Sequence, residues 1–224
     1  MPGYSALIFD LDGTLIDSAP DIAAAINACF AERGWPELPV AYVESFLGNG
    51  PRRLVADIVA DKGISAGEDE ITSLLAAYIA AYGERPAERT RFFPHVREDL
   101  AELRQAGFRL GICTNKPHAL TGRILELLGL APLFDAVLGA DAVPACKPDP
   151  GHLLAVAERM GLAPGSFAYI GDTPVDRNTA RSAGVPFFVV PWGGGPEVDV
   201  PAQARLARLS DLLAYRPDPA VTPA

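Results

Sequence analysis

The stretch that decides the fold is ALIFDLDGTL, residues 6–15. Its first four residues are apolar and suit a buried strand, and Gly13 marks the turn that follows the strand. Asp10 and Asp12 stand between the two. Residues i and i+2 of an extended chain point to the same side, so both carboxylates could face one ligand. Because two close negative charges repel, the pair predicts a bound cation or a shared proton here.

Four further apolar runs of strand length follow along the chain, and stretches of helical periodicity alternate with them. The predicted strands are 108–113, 136–138, 167–170 and 186–190, and the predicted helices are 98–105, 119–128, 151–160 and 176–183. Asp149 followed by Pro150 is typical of a helix start, and a glycine follows each helix. This alternation predicts an α/β fold with a doubly wound, Rossmann-like parallel sheet of about five main strands.

Residues 16–89 interrupt the alternation with apolar residues at helical spacing and no convincing strand. We therefore predict a core domain of residues 1–15 and 90–215 that carries a helical insert, residues 16–89. The insert follows the first strand, so it should lie over the carboxyl end of the sheet, where open α/β folds bind ligands. A lid there would exclude water and select the substrate. Residues 216–224 contain three prolines and are predicted to be a disordered tail.

Composition limits the partners and the location of the chain. The formal net charge is -9 and the sequence pI is near 4.8, which argues against sequence-independent binding to nucleic acid or to an anionic membrane. No apolar run is long enough to span a membrane and no signal peptide is recognisable, so the expected location is the cytoplasm. Cys29, Cys113 and Cys146 are widely spaced and predicted to be reduced thiols.

Three more polar motifs follow later strands or precede helices, and all should lie on the same edge of the sheet. They are Thr114-Asn115, Lys147-Pro148 and the run Gly171-Asp172 with Asp176 four residues beyond. Each motif alone has an ordinary structural explanation, since threonine and asparagine cap helices, Lys-Pro fills loops and Gly-Asp makes turns.

Together with Asp10-x-Asp12-Gly13-Thr14, and in this order, the motifs resemble those of the haloacid dehalogenase-like superfamily of phosphotransferases. The resemblance spans nearly the whole chain. The insert resembles the helical cap of the C1 subgroup, and residues 12–18, DGTLIDS, resemble the branch that contains phosphoglycolate phosphatases. The resemblance implies a phosphatase that hydrolyses a small phosphorylated metabolite.

The resemblance also implies roles for the carboxylates. Asp10 would be the nucleophile that forms an aspartyl-phosphate, and Asp12 would be the acid and then the base. Mg²⁺ would be held by Asp10, by the backbone carbonyl of Asp12 and by Asp172. Asp176 could share a helix face near them, either as a further ligand or as a hydrogen-bond acceptor behind the ligands.

By the same resemblance, Thr114 and Asn115 would bind the phosphate, and Lys147 would supply a fixed positive charge. The chain contains only three lysines, so a lysine in the expected motif favours this function over a solvated loop position.

Residues 48–53, GNGPRR, suggest a turn that leads into a helix of the insert. Arg52 or Arg53 could reach the site and pair with a substrate carboxylate, or both could be surface arginines. The three histidines show no metal-ligand spacing, and loop or helix-surface positions are expected for them: His95, His118 and His152.

Other functions use parts of the same pattern. A phosphomutase of the sugar-phosphate type would share all four motifs, and a binding protein could retain the fold without turnover. A phosphonate hydrolase needs a lysine in the insert, where Lys62 is the one available, and a dehalogenase has no use for the acid Asp12. The resemblance favours an activity like that of the phosphoglycolate phosphatases, and a phosphatase for another substrate, such as a sugar phosphate, is the alternative. A monomer or a homodimer fits the sequence.

Overall fold

The computed structural model describes residues 3–216, so residues 217–224 of the predicted tail lie outside it. The strands are β1 (Ala6–Phe9), β2 (Ile16–Asp17), β3 (Arg91–Phe92), β4 (Arg109–Cys113), β5 (Ala136–Leu138), β6 (Phe167–Gly171) and β7 (Phe187–Val189). The α-helices are α1 (Ala19–Glu32), α2 (Val40–Glu44), α3 (Pro51–Asp61), α4 (Glu68–Glu84), α5 (Val96–Gln105), α6 (His118–Leu127), α7 (Pro150–Arg159) and α8 (Pro174–Ala183).

The main sheet has five parallel strands in the order β5-β4-β1-β6-β7, which confirms the predicted fold class. The first strand lies at its centre, where Phe9 is level with Ile112 of β4 and Ile170 of β6. The carboxyl ends of these three strands therefore meet at one edge of the sheet.

Helices cover both faces of the sheet, and the side chains of β1 alternate between two apolar clusters. Leu7 and Phe9 pack in the cluster that includes residues of α5 and α6, whereas Ala6 and Ile8 pack in the cluster that includes residues of α7 and α8. All four are fully buried. A strand buried on both faces reads as a continuous apolar run, which explains why β1 shows no polar alternation.

The predicted helix boundaries lie within two residues of the observed ones, and the expected end signals are present. Asp149 accepts a hydrogen bond from the Gly151 amide at the start of α7, and Gly184 adopts the left-handed conformation after α8. Thr173 and Asp176 form a reciprocal capping box that starts α8.

The insert contributes α1–α4, whose buried residues belong to the same apolar cluster as Leu7 and Phe9. The expectation of no strand in residues 16–89 was wrong, because Ile16–Asp17 pairs antiparallel with Arg91–Phe92. A two-residue strand is too short to show period-two alternation in sequence. The two connections between insert and core therefore run side by side as a short ribbon.

Asp21 joins the two ends of the insert. Its carboxylate accepts hydrogen bonds from the backbone amides of Arg89 and Thr90 and from the Thr90 hydroxyl, at 2.7–3.0 Å. A buried carboxylate with several donors is well satisfied, so this contact fixes the start of α1 against the returning chain.

Candidate active site

The predicted core motifs meet at the carboxyl edge of the sheet. Asp10 directly follows β1, Thr114 directly follows β4 and Asp172 directly follows β6. Lys147 lies in the loop before α7, and Asp176 lies in the first turn of α8. All five side chains are buried, so the fold takes the three carboxylates and the ammonium group out of water and sets their charges against one another.

Asp10, Asp172 and Asp176 form an acidic cluster in which one carboxylate oxygen of each lies within 4.8 Å of the others. Burial raises the pKa of Asp10 to about 7, although Lys147 opposes the shift. Burial, followed by the charges of Asp176 and Asp10, raises the pKa of Asp172 well above its usual range. The cluster therefore resists full ionisation unless a further cation is present, and its oxygen donors fit a hard divalent cation.

Lys147 is the cation that this cluster already contains. Its Nζ lies 2.9 Å from Asp10 Oδ1 and 2.7 Å from Asp176 Oδ1, and it donates to the Tyr169 hydroxyl at 2.9 Å. Burial alone would lower the pKa of Lys147, but the charges of Asp10 and Asp176 outweigh it and raise the pKa. The ammonium group is thus held charged beside Asp10.

Both carboxylate oxygens of Asp176 accept hydrogen bonds from protein groups. Its Oδ1 accepts hydrogen bonds from Lys147 and from Tyr169, and its Oδ2 accepts from the amide and hydroxyl of Thr173. Although burial raises the pKa of Asp176, Lys147 and these hydrogen bonds lower it below the usual value. The side chain is ionised and fully engaged in positioning its neighbours.

Asp12 points to a different set of partners. Lys116 Nζ donates to its two carboxylate oxygens at 2.9 and 2.8 Å, and the Ser18 hydroxyl donates at 2.5 Å. Asp12 is not part of the acidic cluster, but it lines the same cavity as Asp10. The two aspartates thus share one cavity and differ in their contacts.

Asn115 connects the core to the insert. Its amide nitrogen donates to the backbone carbonyls of Gly48 and Lys147, both at 3.0 Å. The side-chain donors are therefore engaged by protein. Thr114 lines the cavity nearby, and its hydroxyl accepts a hydrogen bond from the Lys116 amide at 3.3 Å.

The turn after β1 and the loop after β7 support Asp172 from two sides. The Thr14 hydroxyl donates to Asp172 Oδ1 at 2.8 Å, and the Gly194 amide donates to Oδ2 at 3.0 Å. Gly13 has a φ of +82°, and a Cβ there would lie 2.2 Å from Asp172 Oδ2. Only glycine fits at position 13 without moving Asp172.

A cavity of about 40 Å³ lies between the core and the insert. A space of this size holds about three water molecules. From the core it is lined by Asp10, Asp12, Thr114, Asn115, Lys116, Pro117 and Leu120, and from the insert by Ile22, Leu47, Gly48, Gly50, Pro51, Leu54, Tyr78 and Tyr82.

Comparison with known proteins identifies the family. Residues 7–190 match the model of the haloacid dehalogenase-like hydrolase family. The chain belongs to the haloacid dehalogenase-like hydrolases. A phosphoglycolate phosphatase of Cereibacter sphaeroides is 41% identical over 193 residues, which are 86% of this chain and 86% of that protein. Another, of Caulobacter vibrioides, is 38% identical over 84% of this chain and 80% of its own length.

A solved structure of a predicted phosphoglycolate phosphatase from Haemophilus somnus has a TM-score of 0.84 and 29% identity, covering 96% of this chain and 98% of that one. The predictions of a haloacid dehalogenase-like hydrolase and of a phosphatase are confirmed. Within residues 3–216, none of the helices has the length and apolar character needed to cross a membrane.

The structure does not bring Arg52 and Arg53 into the site of this hydrolase. Both lie in the first turn of α3, where Arg52 pairs with Glu68 and Arg53 pairs with Asp57 at 2.8 Å. Their side chains are 52% and 69% exposed, and neither lines the cavity. Binding of a substrate carboxylate by either arginine stays a prediction.

The site includes functional candidates that sequence reasoning missed. Lys116 directly follows the Thr114-Asn115 motif, and its scarcity as one of three lysines was a usable signal. Tyr82 of α4 accepts a hydrogen bond from Lys116 at 3.0 Å. The helical spacing of Tyr82 in the sequence predicted a buried residue of the insert, but it did not predict that Tyr82 lines the site.

The expectation of a loop or surface position was wrong for His152, which is fully buried in α7. It lies on the helix face that contains Leu153 and Val156, of which Val156 is four residues further along. Both of these residues pack in the apolar cluster under the sheet. Its Nε2 lies 3.2 Å from the Leu138 carbonyl, and because a carbonyl oxygen can only accept, the Nε2 atom carries a proton. Burial, then the charge of Lys147, lowers the pKa of His152 to about 4.

This histidine should make the fold sensitive to mild acid. The folded-state pKa lies below the unfolded value of 6.5, so the unfolded chain binds the extra proton and the His152 contribution falls as pH drops from 6.5 towards 4. We expect the difference in unfolding free energy between wild type and His152→Gln to shrink by about 2–3 kcal/mol over that window. Urea titrations at several pH values measure it. His118→Gln, at an exposed position, controls for loss of an imidazole, and a difference that does not change with pH would contradict the assignment.

Proposed function

We propose that this chain is a Mg²⁺-dependent phosphatase that hydrolyses 2-phosphoglycolate through an aspartyl-phosphate on Asp10. The observation that carries the proposal is the separation of the two aspartates: Asp10 lies with Asp172 and Lys147, whereas Asp12 faces the cavity with Lys116 and Ser18. The names of the relatives support the choice of substrate.

Asp10 is positioned to attack. A carboxylate oxygen forms a bond to phosphorus while the bond from phosphorus to the ester oxygen breaks, which leaves an aspartyl-phosphate and the departing alkoxide. Lys147 Nζ, 2.9 Å from Asp10, offsets the negative charge on the phosphoryl oxygens. Thr114 lines the same cavity and supplies a hydroxyl donor to the phosphoryl group.

Asp12 transfers the protons. It gives a proton to the departing ester oxygen and later takes one from the water that hydrolyses the aspartyl-phosphate, so its protonation state is restored after each turnover. The Ser18 hydroxyl at 2.5 Å restricts the rotation of its carboxylate. Positioning of this kind makes proton transfer effective because the donor stays within reach of the ester oxygen.

Mg²⁺ fits the acidic cluster, with Asp10, Asp172 and the backbone carbonyl of Asp12 as the proposed ligands. When bound, the ion neutralises charge on the carboxylates and on the phosphate. Asp176 is proposed as a positioning residue and not as a ligand, because its four hydrogen bonds occupy both oxygens. It holds Lys147 and Tyr169 in place.

Asn115 is proposed to act mainly through the insert. By family resemblance we expected Asn115 to bind the phosphate. Its side-chain amide instead donates to the backbone carbonyls of Gly48, in the insert, and of Lys147. These bonds tie the loop before α3 to the phosphate side of the site. Its backbone remains the part that is available to the phosphate.

The cavity favours a small leaving group. Its volume of about 40 Å³ and its apolar walls from Leu54, Tyr78 and Leu120 leave little room beyond the phosphoryl position. A hexose would extend beyond these walls towards a cavity of about 580 Å³ that shares Asp12, Leu47 and Gly48, so the small cavity favours a two-carbon leaving group over the sugar phosphomutase alternative. Oligomeric state and cytoplasmic location stay predictions from sequence.

The function is tested by phosphate release from 2-phosphoglycolate and from glucose 6-phosphate. We expect kcat/KM to be at least about 100-fold higher for 2-phosphoglycolate, because a hexose extends beyond the walls of the cavity at Asp10 and loses their contacts. Removal of divalent ions with EDTA should abolish release, and added Mg²⁺ should restore it. Equal use of the two esters would contradict the substrate, and full activity in EDTA would contradict the metal.

A further inference from the structure

Lys116 is a buried cation that the proposed chemistry does not use. Its side chain is 3% exposed, and its Nζ contacts Asp12 and, at 3.0 Å, the hydroxyl of Tyr82. Proton transfer by Asp12 needs no lysine beside it. Burying an ion pair is costly because both charges lose their hydration, so the pairing of Lys116 with Asp12 is poorly explained by stability alone.

The surroundings of Lys116 show which ligand it suits. Among the described residues that line the cavity, it is the one with a positive side chain, and the nearby walls are apolar or aromatic. Lys147, the other buried lysine, is engaged by Asp10 and Asp176. Lys147 thus lies behind Asp10, outside the lining, and Lys116 is the cation that the cavity presents on the side of Asp12.

The side of Asp12 is the side of the leaving group. Asp12 must approach the ester oxygen to protonate it, and both of its oxygens lie within 2.9 Å of Lys116 Nζ. In 2-phosphoglycolate a single methylene separates the ester oxygen from the carboxylate. An anion so close to the ester oxygen would enter the part of the cavity where Lys116 and Tyr82 meet.

We infer that Lys116 binds the carboxylate of the leaving group and thereby selects short carboxylated phosphoesters. The inference rests on the proposed function, and it names Lys116 as the residue that sets the substrate specificity of the phosphatase. The ammonium group has three donors, so it can contact a substrate carboxylate while it retains a contact to Asp12. Tyr82 of the insert shares the same nitrogen, which links recognition of the carboxylate to the position of the insert.

The test compares two esters of equal length in the Mg²⁺-loaded enzyme: 2-phosphoglycolate and 2-hydroxyethyl phosphate, in which a neutral hydroxymethyl group replaces the carboxylate. For Lys116→Met we expect kcat/KM for 2-phosphoglycolate to fall about 100-fold, mostly through KM, because a charge-assisted contact is lost. For 2-hydroxyethyl phosphate the loss should stay below about tenfold. Lys116→Arg should retain more of the preference than Lys116→Met.

Control variants separate this inference from its competitors. Lys62→Met removes an exposed lysine of the insert and should leave the preference unchanged. If Arg52→Met or Arg53→Met removes the preference while Lys116→Met keeps it, the carboxylate is bound from α3 and the inference is overturned. Circular dichroism checks folding, and Lys116→Gln, which retains a polar group, replaces the methionine variant if that variant is unfolded.

The outcomes also separate the inference from the proposed function. If Lys116→Met slows both esters equally, Lys116 acts only by positioning Asp12, and the inference fails while the function stands. If wild type shows a preference that Lys116→Met retains, the inference fails in the same way. If wild type does not prefer 2-phosphoglycolate to 2-hydroxyethyl phosphate, both the proposed substrate and the inference fail.

Discussion

Asp10→Asn should lower phosphate release by at least about 10⁴-fold, because an amide cannot form the aspartyl-phosphate and no other carboxylate can replace it in line with the phosphorus. The fold should survive the change. Burial raises the pKa of Asp10 to about 7, so an uncharged amide removes a charge that the folded state disfavours in the absence of a cation. The measurement is kcat for 2-phosphoglycolate with Mg²⁺, together with the thermal unfolding midpoint.

The matched control for that variant is Asp57→Asn in α3, whose carboxylate contacts Arg53 at the surface. It should retain activity within about twofold, as expected for a surface position. Activity of Asp10→Asn within tenfold of wild type would show that Asp10 is not the nucleophile. A lower unfolding midpoint would show that the carboxylate stabilises the fold.

Lys147→Met should damage both activity and stability. It leaves Asp10 and Asp176 buried without their cation, and breaking a buried ion pair from one side costs about 3–5 kcal/mol. Phosphate release should fall at least about 10³-fold because the phosphoryl charge is no longer offset. Urea unfolding in EDTA and phosphate release with Mg²⁺ measure the two effects.

Two comparisons show whether the stability loss comes from unpaired charge. The loss should shrink as pH is lowered from 7 to 5, because protonation of the abandoned carboxylates removes their charge. Lys62→Met, which removes an ammonium group 3.8 Å from the centre of the Tyr42 ring, should cost no more than about 1 kcal/mol. A loss for Lys147→Met that is equally small would mean that the buried network is not stabilising.

The sheet and the positions of the core motifs could be predicted because they depend on local patterns of apolar and polar residues. A strand buried on both faces must be apolar throughout, and the run that ends at Phe9 has this form. Parallel strands place their carboxyl ends on one edge, so polar residues after β1, β4 and β6 had to meet there. The tertiary contacts only refined the helix ends by one or two residues.

The contacts between insert and core could not be predicted in the same way. Lys116 meets Asp12 and Tyr82 across large separations in the chain, and no local pattern states which loops come together. The exposure of Arg52 and Arg53 depends on the rotation of α3 about its axis. His152 is different, because its spacing to Val156 placed it on the buried face and periodicity alone could have found it.

The central place of β1 has a consequence for synthesis of the chain. Ala6 is synthesised long before Arg109 and Phe167, which are its partners in the sheet. At translation rates of about 5–20 residues per second, the strand waits about 5–20 s for its first neighbour. During that interval an unpaired apolar strand is open to aggregation, and the helices of the insert are the elements that emerge in time to shield it.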